Sequence, residues 1–132
     1  MSIKKILLAE DDLDDQVLFR SFLEHRRDID ILPIAENGVV VFDILEKIDG
    51  EEYLPDIIIL DQNMPKRSGL QTLQLLKKTN RYNDIPVFVY STYMDDKLKA
   101  ECMANGALAV ITKPVTKDGY NGLIDGFLKD AL

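Results

Sequence analysis

The stretch Leu54-Pro-Asp-Ile-Ile-Ile-Leu-Asp61-Gln-Asn-Met-Pro65-Lys-Arg-Ser-Gly69 constrains this chain more than any other. A turn signal, Pro55-Asp56, opens it, and the apolar run Ile57 to Leu60, mostly β-branched, follows. Such a run predicts a short strand buried on both faces, as in the middle of a parallel sheet. The strand ends in a carboxylate, Asp61. Pro65 cannot donate to a ladder and Gly69 permits unusual dihedrals, so the chain must turn there. Leu70, Leu73 and Leu76 then recur at helical spacing. A carboxylate at the C-terminal edge of a parallel strand stands where open α/β sheets hold their ligands. Taken alone, Asp61 is equally readable as a solvated loop acid or a helix cap.

The rest of the chain repeats the same alternation. Strands are predicted at Ile3 to Ala9, Asp28 to Ala35, Val87 to Tyr90 and Ala109 to Thr112. Pro33 marks the second as an edge strand. Helices are predicted from Asp14 to about His25 (core face Leu18, Phe22, Leu23), Val39 to Lys47 (Val40, Phe42, Leu45, then Ile48), Leu70 to about Asn80, and Asp95 to Asn105. Asn37-Gly38 reads as a turn, and Gly106 as the left-handed residue that stops the fourth helix. The last helix is predicted from Lys117 to Leu132, with Tyr120, Leu123, Ile124, Phe127 and Leu128 as its buried stripe. Gly119, Gly122 and Gly126 weaken it by propensity, so packing must hold it.

Five strands alternating with five helices predict an α/β, doubly wound, five-stranded parallel sheet with right-handed crossovers. In the flavodoxin-like order 2-1-3-4-5 the switch point falls between strands one and three. Glu10, Asp11 and Asp61 then converge at one end of the sheet, and strands four and five bring Ser91 and Lys113 to the same edge.

At 132 residues with 46% hydrophobic residues, the chain fits one domain, 1–132, with a single core. No apolar run is long enough to span a bilayer and the N-terminus lacks a secretory signal's apolar region, which predicts a cytoplasmic protein. The net charge of −7 and the absence of a basic stripe argue against direct nucleic-acid binding. There is no Gly-rich phosphate loop. The single cysteine, Cys102, reads as a small buried hydrophobe, and the single histidine, His25, as a solvated helix-end residue without a nucleophile near it in sequence.

Three carboxylates cannot share a cleft unless something positive relieves them. Oxygen donors without nitrogen or sulfur suit a hard cation, Mg²⁺ above all or Mn²⁺. Lys113 offers an ammonium and Ser91 a hydroxyl. Together they make a device for charge on a transferring phosphoryl group, with Asp61 as the nucleophile. Separately, each piece has a plainer reading: a helix-start acid cluster for Glu10-Asp11-Asp12, a strand-end polar residue for Ser91, a surface lysine for Lys113.

The combined set resembles the receiver domain of two-component response regulators, over essentially the whole chain. The matching pieces are Ile6-Leu-Leu-Ala-Glu10-Asp11-Asp12, Pro55 through Asp61 with Met64-Pro65 and Gly69, Pro86-Val-Phe-Val-Tyr-Ser91, and Thr112-Lys113-Pro114. The resemblance implies that a sensor histidine kinase or a phosphotransfer protein donates a phosphoryl group to Asp61. It implies Asp11 as direct metal ligand, Glu10 acting through water, and a backbone carbonyl ligand from Asn63. It further implies Asp12 outside the first ring of ligands, Ser91 as a switch hydroxyl, Lys113 in contact with the phosphoryl group, and a cis Lys113-Pro114 bond. Kinase docking would involve Leu13, Gln16 and Arg20 on the first helix. Output would run through contact with a downstream protein or onward relay.

One position departs from the family pattern: Val110 stands three residues before the lysine, where many receivers carry Tyr or Phe. The output movement must use other groups. Tyr93, two residues after Ser91, is expected to cover the site partly and slow hydrolysis. The chain's end soon after the last helix predicts a stand-alone receiver that is not a conventional enzyme. The alternatives are a pseudo-receiver acting without phosphorylation, a flavodoxin, and an aspartyl-nucleophile phosphatase. The acids after strand one would repel a flavin phosphate. The phosphatase would more naturally carry its nucleophile after strand one.

Overall fold

The central strand of the computed structural model, β3 (Ile57–Asp61), is buried from end to end, as a both-sides-covered strand requires. On one flank it pairs with β1 (Lys4–Ala9), and on the other with β4 (Val87–Ser91). Strand β2 (Ile29–Ile31) closes the β1 edge and β5 (Ala109–Thr112) the β4 edge. All pairs are parallel and the order is β2-β1-β3-β4-β5. The structure describes residues 3–131.

Five α-helices cover the sheet: α1 (Leu13–Leu23), α2 (Gly38–Glu46), α3 (Gly69–Lys78), α4 (Asp96–Ala104) and α5 (Lys117–Asp130). The apolar strand runs split between two cores by their period of two. Leu7, Ala9, Ile58, Leu60, Val87 and Val89 face one core, with Val41 and Leu45 of α2 and Leu73 and Leu76 of α3. Ile6, Leu8, Ile57, Ile59, Phe88 and Tyr90 face the other, with Phe19 and Leu23 of α1 and Tyr120, Leu123, Ile124 and Phe127 of α5. Every helix begins at a side-chain cap: Asp12, Asn37, Ser68, Asp95 and Thr116 each accept from a backbone N–H of the first turn. Each cap contributes about 1 kcal/mol.

Several local expectations shift. Strand β2 stops at Ile31, although Leu32 N still donates to Ile6 O at 2.9 Å; past Pro33 the chain rejoins the sheet where Ala35 bridges Ala9. Asn37-Gly38 is a helix start, not a free turn: Asn37 caps Val39 and Val40. On α1 the fully buried residues are Phe19 and Leu23, with Leu18 and Phe22 half-buried. On α2 Val41 joins Leu45 inside, while Val40, Phe42 and Ile48 pack at the margin. Leu128 is half-buried, and the expected helix end at Leu132 lies outside the described residues. Gly106 has φ 102° just after α4, the left-handed stop expected there. Cys102 is buried and His25 is exposed. No described helix is long and apolar enough to cross a membrane.

Candidate functional site

Strand register assembles the site. Ala9 lies beside Leu60, Asp61 beside Tyr90, and Ser91 beside Thr112. Glu10, Asp61, Ser91 and Lys113 therefore all emerge at the C-terminal edge of the sheet, across the β1/β3 switch point. The loop after Asp61 is folded back tightly. Lys66 has φ 67°, and Arg67 N donates to Pro65 O at 2.7 Å, a strained three-residue turn. Gly69 N then donates to Gln62 O at 3.1 Å, and Leu70 N to the Gln62 side chain at 2.9 Å. A Cβ on Gly69 would lie 2.7 Å from Asp61 O, so only glycine allows this approach.

Glu10, Asp11 and Asp61 each offer a carboxylate oxygen, all within 4.8 Å of one another. Glu10, Asp61 and Ser91 are buried, whereas Asp11 is exposed. Lys113 Nζ lies 2.8 Å from Glu10 Oε1, 2.9 Å from Asp15 Oδ2 and 3.3 Å from Asp61 Oδ2, with its side chain only 9% exposed. Asn63 is exposed; its backbone N–H donates to Asp61 Oδ1 at 3.2 Å, and its side-chain amide to Ser91 Oγ at 3.2 Å. Asp12 stands back from the acid group, capping α1 through Asp15 N. A cleft of about 390 Å³ opens between Asp11, Asp15, Asp61, Asn63, Thr92 and Lys113, with Asp12 also on its wall.

Charge dominates this cleft. Burial, with the Glu10 carboxylate beside it, pushes Asp61 up to about 7, although Lys113 and the Asn63 N–H pull the other way. Burial alone would lower Lys113, but its hydrogen bonds to Glu10 and Asp15 hold it above its ordinary value. One ammonium cannot neutralise four carboxylates, so the site favours an added cation or a proton.

Two members of the site were not legible in sequence. Asp15 lies in the first turn of α1, and its carboxylate reaches Lys113 Nζ at 2.9 Å. Tyr90 precedes Ser91 and donates to Glu10 Oε1 at 2.8 Å; burial, then the Glu10 charge, hold its phenol far above the usual range. Other expectations are corrected. Every described peptide bond is trans, Lys113-Pro114 included; X–Pro isomers differ by only about 0.5–1 kcal/mol, so the dipeptide does not fix the choice. Gln16 turns inward and donates to Glu10 O at 2.6 Å, which leaves Leu13, Val17 and Arg20 on the outer face of α1. Tyr93 is 75% exposed and does not line the cleft. Val110 is buried in the core opposite the one that holds Tyr90.

The similarities of the chain agree with this geometry. A family model described as the response regulator receiver domain matches residues 6–124. The transcriptional regulatory protein YdfI of Bacillus subtilis is 28% identical over 127 residues, covering 96% of this chain and 56% of that protein. The polar-differentiation response regulator DivK of Brucella anthropi is 27% identical over 128 residues, covering 97% of this chain and 98% of that protein. A crystal structure of the Mn²⁺-bound form of response regulator Rcp1 superposes with TM-score 0.77 at 27% identity, covering 93% of this chain and 90% of that one. The chain spans 35–56% of the length of several curated relatives it matches, a methylesterase among them. The switch-point acids, the strand order and the family match lead to one statement: the chain belongs to the response regulator receiver domain family of two-component signalling.

Proposed function

We propose that this receiver takes a phosphoryl group on Asp61 from a phosphohistidine, on a sensor kinase or a phosphotransfer protein, and signals by contact with a downstream protein or by onward relay. The observation that carries this reading is the convergence of Glu10, Asp11 and Asp61 within 4.8 Å, with Lys113 Nζ against Glu10 and Asp61.

An Asp61 carboxylate oxygen would attack phosphorus. A P–O bond forms, the P–N bond breaks, and the electron pair and a proton stay with the departing imidazole. Lys113 faces the Asp61 oxygen at 3.3 Å, so its ammonium is placed to take up charge on the phosphoryl oxygens. Ser91, whose oxygen accepts from the Asn63 amide, would donate its hydroxyl hydrogen to a phosphoryl oxygen of the same group.

The donor set fits a hard divalent cation: three carboxylates, oxygen only, clustered, with Asp61 pushed up to about 7 by burial and by the Glu10 carboxylate beside it. Asp11 and Asp61 would hold Mg²⁺ or Mn²⁺ with the Asn63 carbonyl, and Glu10 would act from behind. Such an ion supplies positive charge that keeps the acids ionised and shields the incoming phosphoryl oxygens. The Mn²⁺-bound Rcp1 relative supports this reading. The exposed face of α1, with Leu13, Val17 and Arg20 one or two turns apart, is the proposed kinase-docking surface.

The test is intact-protein mass after incubation with acetyl phosphate, with and without Mg²⁺, beside Asp61→Asn. A Mg²⁺-dependent gain of one phosphoryl group, absent in the variant, is expected. No gain in a folded, metal-loaded protein, even with candidate kinases, would transfer the chain to the pseudo-receivers.

A further inference from the structure

Tyr90 sits inside the site, yet the chemistry above makes no use of it. It occupies β4 one residue before Ser91 and opposite Asp61 in register, and its side chain is fully buried. Its hydroxyl donates to Glu10 Oε1 at 2.8 Å. Lys113 Nζ lies 2.8 Å from the same oxygen and 5.1 Å from the centre of the Tyr90 ring. The other Glu10 oxygen, Oε2, accepts from Asp12 N at 3.2 Å. Both oxygens of this fully buried acid are thus engaged by protein donors, while its neighbour Asp11 stands exposed.

A carboxylate on a flexible stem would otherwise swing toward any positive charge in the cleft. A tyrosine is suited to prevent that. Its ring is locked in the core shared by α1 and α5, so its hydroxyl sits at the end of a rigid arm. The relay position Val110 belongs to the other core, so Tyr90 does not stand in for the missing aromatic there. It works on the acid pair instead.

We propose that Tyr90 is a positioning residue of the divalent-ion site: its hydroxyl holds Glu10 in the single orientation that serves both Lys113 and the Asp11–Asp61 pair. This deepens the metal-dependent phosphoacceptor reading and rests on it. Groups that orient the acids around a metal commonly carry a tenfold or larger share of its affinity.

The experiment is calorimetric titration of the full chain with MgCl₂ and with MnCl₂, without a phosphodonor, for wild type, Tyr90→Phe and the remote control Tyr82→Phe. Tyr90→Phe is expected to weaken both ions about tenfold, and Tyr82→Phe to stay within about twofold. In a Glu10→Ala background, Tyr90→Phe should no longer change the affinity, since it has nothing left to position. The chain contains no tryptophan, so an ultraviolet difference spectrum on Mg²⁺ addition reports tyrosine alone; the signal should fall in Tyr90→Phe and persist in Tyr82→Phe. Urea midpoints in EDTA exclude a folding defect, because Tyr90→Phe keeps the ring. Equal or tighter binding by Tyr90→Phe, or an unchanged effect in the Glu10→Ala background, overturns the proposal while leaving Asp61 phosphorylation intact. A wild type that neither binds Mg²⁺ nor gains a phosphoryl group overturns the parent reading and this one together.

Discussion

Lys113, at the end of β5, is held by Asp15 on α1: Nζ and Oδ2 are 2.9 Å apart across 98 positions of sequence. The same ammonium meets Glu10 and Asp61. Asp15 therefore competes with Asp61 for the positive charge that, in the proposed function, faces an incoming phosphoryl group.

Neutralising that competitor should speed phosphorylation. Asp15→Asn removes one of the acids that repel an anionic donor and frees Lys113, so its initial rate of labelling by acetyl phosphate should rise about two- to fivefold at low salt. The gap should narrow as salt is raised, because the cleft is open to screening. Intact mass at early times gives the rate; slower labelling would show that Asp15 instead holds Lys113 in its productive place.

Asp61 leaves a pH signature in the metal-free protein. Its pKa is raised from 3.8 to about 7 on folding. The stabilising contribution is therefore fully present below pH 3.8 and is lost as pH rises through about 7. Asp61→Asn, which cannot ionise, should exceed wild type in stability by about 1–3 kcal/mol at pH 8, with the difference closing toward pH 4. Urea unfolding in EDTA at several pH values measures it. A difference independent of pH would mean that Asp61 is not destabilised by its neighbours.

Gly69 should resist substitution, since an added Cβ would meet Asp61 O at 2.7 Å and Gln62 Cα at 3.0 Å. These are backbone atoms and cannot swing aside. Gly69→Ala should cost about 1–3 kcal/mol and displace the turn beside Asp61, so labelling should slow as well. Unaltered stability and labelling together would show that the turn relaxes freely.

The opposite holds on α5. A Cβ at Gly122 or Gly126 meets nothing within 4 Å, and both residues are exposed. Each Gly→Ala change there should stabilise the protein by about 0.5–1 kcal/mol through helix propensity alone, without touching phosphorylation. A loss of stability on urea titration would mean that this face contacts something when the chain is folded.

How far the site could be read in sequence depended on how local its causes were. Asp61 was legible because an apolar run ends in it and a Pro-Gly turn follows. Glu10 and Asp11 were legible because the apolar run of β1 ends in them. Ser91 and Lys113 gained meaning once the strand order brought four strand ends to one edge. Asp15 and Tyr90 were not legible. An acid on a helix start and an aromatic in a strand have ordinary explanations, and only their partners make them members of the site. Gln16 was assigned to the surface because helical spacing says which residues share a face, not which way that face turns.

The sequence alone determined the alternation of strands and helices and the acids at the strand ends, since apolar periodicity and turn residues act over a few positions. The tertiary structure decided which core Tyr90 enters, the meeting of Lys113 with Glu10, Asp15 and Asp61, and the seating of Gly69 against Asp61. Those outcomes depend on strand register and on which helix covers which face. Both are settled only when distant segments bury their apolar sides together, because a one-residue change of register would send every strand side chain to the opposite face.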